Sequence, residues 1–413
     1  MTGELGLNWT RALGPRTELE LTALQRYADE SYKGASESGG DDSVFTSDST
    51  SGESIARAAL KFRQNDRWSF ETGGEVAYNY LDSSTAYAEN GVPVPLPSAS
   101  VKVEELRGEA FGQMTWRANP KLTVEAGLRV EVSEISQSGD VDLSKSFVYP
   151  KPRLQVTWTP NAGHQFRLRA ERDVGQLDFG DFVASAEVDL GQVEGGNPDL
   201  EPSKFTTFEA VYERRFWGEG VFSLAASYDL IEDAIDVIPL AGGFEAVGNI
   251  GDGSARHLSA SLTLPTDRFG IPNGRFQASA RVNDSEVTDP LTGEDRRVSG
   301  QLRFGCGLGF TQDLRGGRWS YGFDHGCNVD KGVNYRIREV RTFEQEPFVN
   351  AFVQWKPRTD LTLRLDLGNA TDREARRLRE VYAGPRDSSP LLYREERATK
   401  MSPWLFIQIR KTL

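Results

Sequence analysis

The chain has 413 residues, with 48 Lys and Arg against 61 Asp and Glu, and a net charge of −13. That balance argues against nucleic acid as a partner. Hydrophobic residues make up 38%, mean hydropathy is −0.49, and no apolar run approaches the ~20 residues of a spanning helix, so a helical membrane protein is excluded. A membrane barrel is not, because its strands turn only one face to lipid. The acidity fits either plain solubility or acidic extracellular loops.

In chain order, period-2 alternation dominates. It predicts strands at 4–13, 16–33, 54–65, 67–82, 103–117, 121–137, 147–159, 164–175, 204–217, 220–238, 255–266, 275–288, 297–313, 318–333, 343–356, 361–371 and 399–412. In the fifth, Leu106, Gly108, Ala110, Gly112, Met114 and Trp116 oppose Glu105, Arg107, Glu109, Gln113, Thr115 and Arg117, with Phe111 the exception. The seventh sets Val148, Leu154, Val156 and Trp158 against Lys151, Arg153, Gln155 and Thr157. No stretch has comparable helical periodicity.

The connections alternate between short and long. Short turns fall at 14–15, 65–66, 119–120, 160–163, 218–219, 269–274, 314–317 and 357–360. Long connections fall at 34–53, 83–102, 138–146, 176–203, 239–254, 289–296, 334–342 and 372–398. Tight periplasmic turns and long extracellular loops give this pattern; a soluble sandwich has no reason to gather its short turns at one end. The expected fold is an all-β, antiparallel up-and-down transmembrane barrel over 1–413.

Eight tryptophans occur. Trp9, Trp68, Trp116, Trp158, Trp217, Trp319 and Trp355 lie beside short turns, as an aromatic girdle at one membrane interface requires. The first and last predicted strands both run toward the short turns. A single-chain barrel has an even strand number, so an odd number of strands is expected on sequence before Met1, together with any export signal.

The residues Gly196-Asn197-Pro198-Asp199-Leu200-Glu201-Pro202-Ser203 close the loop 176–203 and open a strand. They resemble the GNP-x-L-x-P-E signature of TonB-dependent outer-membrane receptors, with Ser203 in place of Glu. Leu365-Asp-Leu-Gly-Asn369-Ala370-Thr-Asp372 resembles the NL-x-D strand end of that family, with Ala370 where Leu is usual. The final strand, with Leu405, Ile407 and Ile409 on one face, resembles the C-terminal assembly signal of outer-membrane barrels, but ends in Leu413 rather than an aromatic. The resemblance implies the barrel part of a receptor of about 22 strands, set in the lipid of a Gram-negative outer membrane. It implies a plug domain and a segment contacting TonB, both expected on an N-terminal region absent from this sequence. It implies active uptake of a large scarce ligand: a siderophore, cobalamin or glycan.

The long loops carry aromatic and acidic residues suited to a glycan or a cationic chelate, namely Tyr87, Glu89, Asp178, Phe179, Asp181 and Phe182. Plain solvated loops are the simpler reading of them. If Leu314 pairs with Trp319, Cys306 meets Cys327 on the lipid face, where a disulfide and two free thiols both remain open. Neither cysteine has metal-ligand spacing, and no cofactor motif occurs. There is no G-x-S-x-G elbow, phosphate loop or H-E-x-x-H helix, and His164, His257 and His325 form no recognisable nucleophile–base arrangement, so no enzyme is expected. The other readings are a passive porin or structural barrel and, in a third class, a soluble all-β binding protein.

Overall fold

The computed structural model describes residues 1–38, 40–188, 192–314, 316–327 and 331–412. Leu413, position 315 of the turn 314–317, and 328–330 of the predicted strand 318–333 lie outside the described residues. Seventeen strands form one antiparallel meander. They are Thr2–Gly14, Thr17–Ser38, Asp41–Arg63, Trp68–Glu89, Ser100–Asn119, Leu122–Gly139, Leu143–Asn161, His164–Val174, Lys204–Phe216, Gly220–Glu232, Gly253–Pro265, Gly274–Thr288, Phe304–Leu314, Trp319–Cys327, Phe348–Arg358, Leu361–Gly368 and Trp404–Lys411. Each pairs with the next from first to last. Among the described residues no ladder joins Thr2–Gly14 to Trp404–Lys411, so the wall has two open edges.

The wall has two chemically distinct faces because side chains alternate along each strand. Outward lie Leu106, Leu128, Val148, Leu154, Leu168, Phe208, Leu258 and Leu365, all exposed. Val148 is 65% exposed, which decides the matter: a contiguous apolar surface of this extent calls for lipid rather than water. Inward lie charged residues that pair across neighbouring strands. Phe111 breaks the alternation for a packing reason. It points inward over Gly73, where an added Cβ would come within 2.7 Å of its ring, and the Arg57 guanidinium lies 4.5 Å above the ring centroid. Phe352 does the same over Gly322, with Arg364 at 3.9 Å. A bare glycine and a cross-strand ring fill the space together.

Three of the short turns share a local cause. The Asn65, Asn119 and Asn161 side chains accept backbone N–H bonds from Arg67, Lys121 and Gly163, each two residues on, at 2.8, 2.8 and 2.9 Å. Trp217 and Gly218 close another turn with positive φ.

At the opposite end several expected loops prove to be strand. Thr17–Ser38 and Asp41–Arg63 pair to their tips at Ser38↔Asp41, so most of 34–53 is ladder. The expected strand 220–238 breaks at Asp233, whose φ is 55°, and resumes as Ile235–Pro239 in a different sheet. The expected strand 297–313 begins only at Phe304. Ten further short strands occur among the described residues, eight of them in two cap sheets. The first cap sheet joins Ser185–Glu187, Gln192–Glu194, Glu245–Asn249 and Ile235–Pro239. The second joins Gly332–Tyr335, Glu339–Gln345, Glu374–Tyr382 and Leu391–Lys400. The expected loops 334–342 and 372–398 therefore hold most of a sheet.

Candidate functional site

A cleft of about 590 Å³ opens on the inner face of the wall. Arg57, Glu75, Arg107, Glu109, Glu131 and Lys151 line its side, and Leu177, Phe179 and Pro202 form its roof. The charges compensate one another laterally. Lys151 lies 2.5 Å from Glu109 and 2.8 Å from Glu131, and Glu75 is 3.7 Å from Arg107 and 3.8 Å from Arg57. Such a lattice offers hydrogen bonds to a polar solute with little net charge. No histidine or cysteine is among its lining residues. The histidines are engaged elsewhere: His257 with Asp229 at 3.1 Å and Asn283 at 3.0 Å, His164 with the Tyr212 hydroxyl, and His325 with the Phe348 carbonyl. Among the described residues no group of three His, Cys, Asp or Glu side chains is placed to hold a metal ion.

The roof is fixed by the sequence 196–203. The buried Asn197 donates from its amide to the Val247 carbonyl at 2.9 Å and accepts from the Asp199 N–H at 3.0 Å. Its backbone N–H reaches the Asp181 carbonyl at 3.0 Å, and the Gly196 N–H reaches Pro97 at 3.2 Å. Gly196 has no room for a side chain, because a Cβ would strike Phe182 and lie 2.7 Å from Ser98. Gln137 donates to the Pro198 carbonyl at 3.0 Å, and Lys145 to the Asp199 carbonyl at 2.8 Å. Asn249 and Glu201 exchange two bonds of 2.9 Å. Leu200 is 1% exposed and Pro202 is buried. Four separate loops thus meet on one short segment. Asn369 repeats the device near the end of the chain. In the left-handed region at φ 50°, it takes the N–H of Arg373 on its side chain at 3.2 Å, bonds its own N–H to Asn350 at 2.9 Å and donates to the Met401 carbonyl. Asp372, also of positive φ, donates its N–H to the Asn369 carbonyl.

The six loop residues expected to meet a ligand separate into two groups. Phe182, 1% exposed, packs in the core with Val101, Val103 and Leu200, and Tyr87, 5% exposed, packs with Phe45 and Val188. Both side chains are buried and outside the cleft lining. Tyr87 instead donates its hydroxyl to Glu89 at 2.9 Å. Glu89 is exposed. Asp178 caps the 3-10 turn Phe179–Phe182 by accepting the Gly180 N–H at 2.8 Å. Phe179 lines the cleft. Burial first, then the charges of Asp178 and Glu194, push the Asp181 carboxyl up to about 6.

The seven tryptophans lie at the short-turn end of the wall. Trp68 and Trp116 are Cα partners with rings stacked 5.5 Å apart, as are Trp319 and Trp355 at 5.4 Å. Trp158 stacks on Phe166 at 5.3 Å, and Trp217 meets Phe269 edge-on at 6.1 Å. Trp9 faces outward opposite Leu21. Cys306 and Cys327 are register partners with Cα atoms 5.0 Å apart, joined as a disulfide.

What the sequence did not signal is an ionic cluster among the loops. Asp289, Asp236 and Glu339 are buried, as are the side chains of Arg296, Arg341 and Arg379. Arg296 bridges Asp289 at 2.6 Å and Asp236 at 2.8 Å, and Arg386 also pairs with Asp289. Burial opposes the charge of Asp289. The N–H groups of Thr292 and Leu291 and the two guanidinium groups outweigh it and hold the carboxyl well below the usual carboxylate range.

A family model described as "TonB dependent receptor-like, beta-barrel" matches residues 2–370. None of the curated proteins is similar to the chain in sequence. Among solved structures, the chain is similar to the copper transporter OprC, at 12% identity and TM-score 0.71 over 100% of this chain and 65% of that one. It is similar to the ferric-catecholate import receptor Fiu from E. coli K12, at 10% and 0.69 over 100% and 64%. It is similar to the ferric yersiniabactin uptake receptor FyuA from Yersinia pestis, at 14% and 0.68 over 99% and 61%. These likenesses show the fold. The chain spans between 61% and 65% of the length of these structures.

Proposed function

Because the chain belongs to the TonB-dependent receptor β-barrel family, a family of transporters rather than enzymes, we propose that it forms the wall and surface cap of a Gram-negative outer-membrane receptor for active uptake. The observation that carries this reading is the two-faced wall. Its outside is a continuous apolar surface, its inside an ion-paired lattice with a roofed cleft, and its long connections are folded into a cap. Lipid is the partner of the outer face, and the tryptophans beside the short turns form its inner girdle. The cap then faces the outside of the cell.

The cargo is a large scarce solute. A metal chelate of the siderophore class comes first, because the solved structures of the same fold include a copper transporter, a ferric-catecholate import receptor and a ferric yersiniabactin uptake receptor. Cobalamin and glycans follow. Glu89, Asp178, Phe179 and Asp181 are the loop residues that meet it, while Tyr87 and Phe182 hold those loops in place. Strands that close the two open edges, a plug and the TonB contact belong to sequence outside this chain.

The test compares a deletion strain with its parent for uptake of ferric chelates, copper, cobalamin and oligosaccharides, with and without a protonophore. Loss of one energy-dependent uptake activity is expected. Uptake that survives the protonophore and depends on the gene would instead mark a passive pore.

A further inference from the structure

The two cap sheets are fastened in different ways. The first rests on apolar cores. Ile235 and Val247 pack on the buried cluster around Val103, Phe182 and Leu200. Ala186 and Val193 pack on the cluster around Phe45 and Tyr87. Among the described residues the second sheet has no such seat. None of the three buried apolar clusters takes a residue from 332–345 or 374–400. The side chains it buries are Glu339, Arg341 and Arg379, with Ile337 in a turn.

Ion pairs and hydrogen bonds link it to the first sheet. Arg336 pairs with Glu194 and, at 2.5 Å, with Glu245, and the Ile337 N–H donates to Glu245 at 2.9 Å. Arg341 reaches Glu187 at 3.3 Å and also Gln192, and Gln192 donates to Glu339 at 2.8 Å. Burial raises the cost of each charge, and pairing recovers about that cost, so buried ion pairs hold weakly in net terms. Opening the second sheet would return its charges to water. Opening the first would expose Phe182 and Leu200, a loss of apolar burial that water does not offset.

We propose that the second cap sheet is an electrostatically latched lid that parts from the first as one unit, with Arg336 as the main latch. Its use as a gate to the interior rests on the uptake reading above; the latch rests on geometry alone and is testable without a ligand.

The experiment is amide hydrogen exchange on the full-length protein in lipid vesicles, comparing the wild type with an Arg336→Gln, Arg341→Gln variant. Protection in 332–345 and 374–382 should fall roughly 100-fold, while 235–249 stays within about twofold. The single Arg336→Gln variant should loosen the same amides first. That arm decides the matter if the double variant also loses protection in Lys204–Phe216 and so has misfolded. Loss of both sheets together, or of neither, would overturn the lid. An outcome of that kind leaves energy-dependent uptake untouched, so the two readings fail separately.

Discussion

The wall is antiparallel throughout, the cap antiparallel but for the pairing of Gln192–Glu194 with Glu245–Asn249, and the two are stabilised in opposite ways. In the wall, apolar side chains are exposed and charged ones turn inward. In the cap, charged side chains are buried, and the apolar seats lie only under the first sheet. The difference follows from the surroundings. A wall in lipid gains nothing from hiding Leu154 or Val148, whereas a cap in water must hide something, and its second sheet hides ion pairs. The wall should therefore answer to polarity changes on its surface, and the cap to charge changes in its interior.

The largest expected effect is in the cap. Asp289→Ala takes the carboxylate from the buried Arg386 and leaves Arg296 with Asp236 alone, a loss of ~3–5 kcal/mol. Limited proteolysis should cut between 289 and 301 and between 383 and 390, with the wall intact; an unchanged digest would place the strength of the cap elsewhere. Next comes the wall. Leu154→Arg should cost ~2–4 kcal/mol in urea titrations of the vesicle-inserted protein. Gln155→Arg, on the inner face one residue away, should cost far less. Equal costs would erase the distinction between the faces.

Asn197→Ala tests the junction between wall and cap. It leaves the Val247 carbonyl and the Asp199 N–H without their partner, for ~1–3 kcal/mol. Exchange should quicken in 176–188 and 245–249 and not in Trp68–Glu89.

Acidity separates two cap carboxylates, and its effect is the smallest. The Asp181 carboxyl is raised from 3.8 to about 6, so the stability it confers on its loop is complete below ~4 and lost as pH rises through about 6. Asp289 is depressed, so its contribution is present above ~4 and lost as pH falls toward its folded value. Between those limits only the loop around Asp181 should respond, and Asp181→Asn should flatten that response in exchange profiles.

Much of the wall was legible because one face of each strand is apolar. The alternation from Leu106 to Trp116 placed its strand within a few residues, and the turn at 314–317 implied the register that sets Cys306 opposite Cys327. The cap was illegible for the converse reason. Its strands are three to ten residues long, and the side chains buried in its second sheet are Glu339, Arg341 and Arg379, which a hydrophobic pattern reads as exposed. Its main link joins Arg336 to Glu194, 142 positions away. The burial of Phe182 was not legible because an aromatic in a loop gives no local sign of the Val101, Val103 and Leu200 cluster beneath it. The segment 196–203 was legible as a family signature, but not as the junction of four loops, because the groups it bonds come from Pro97, Asp181 and Val247.

The most direct test of the central claim is orientation. An epitope inserted after Asp387, in the cap, and another after Gly218, in a short turn, would be placed separately in the full-length protein and stained on intact and permeabilised cells. The cap epitope should stain on intact cells and the turn epitope only after permeabilisation. Staining of both on intact cells, or of the turn alone, would contradict that orientation.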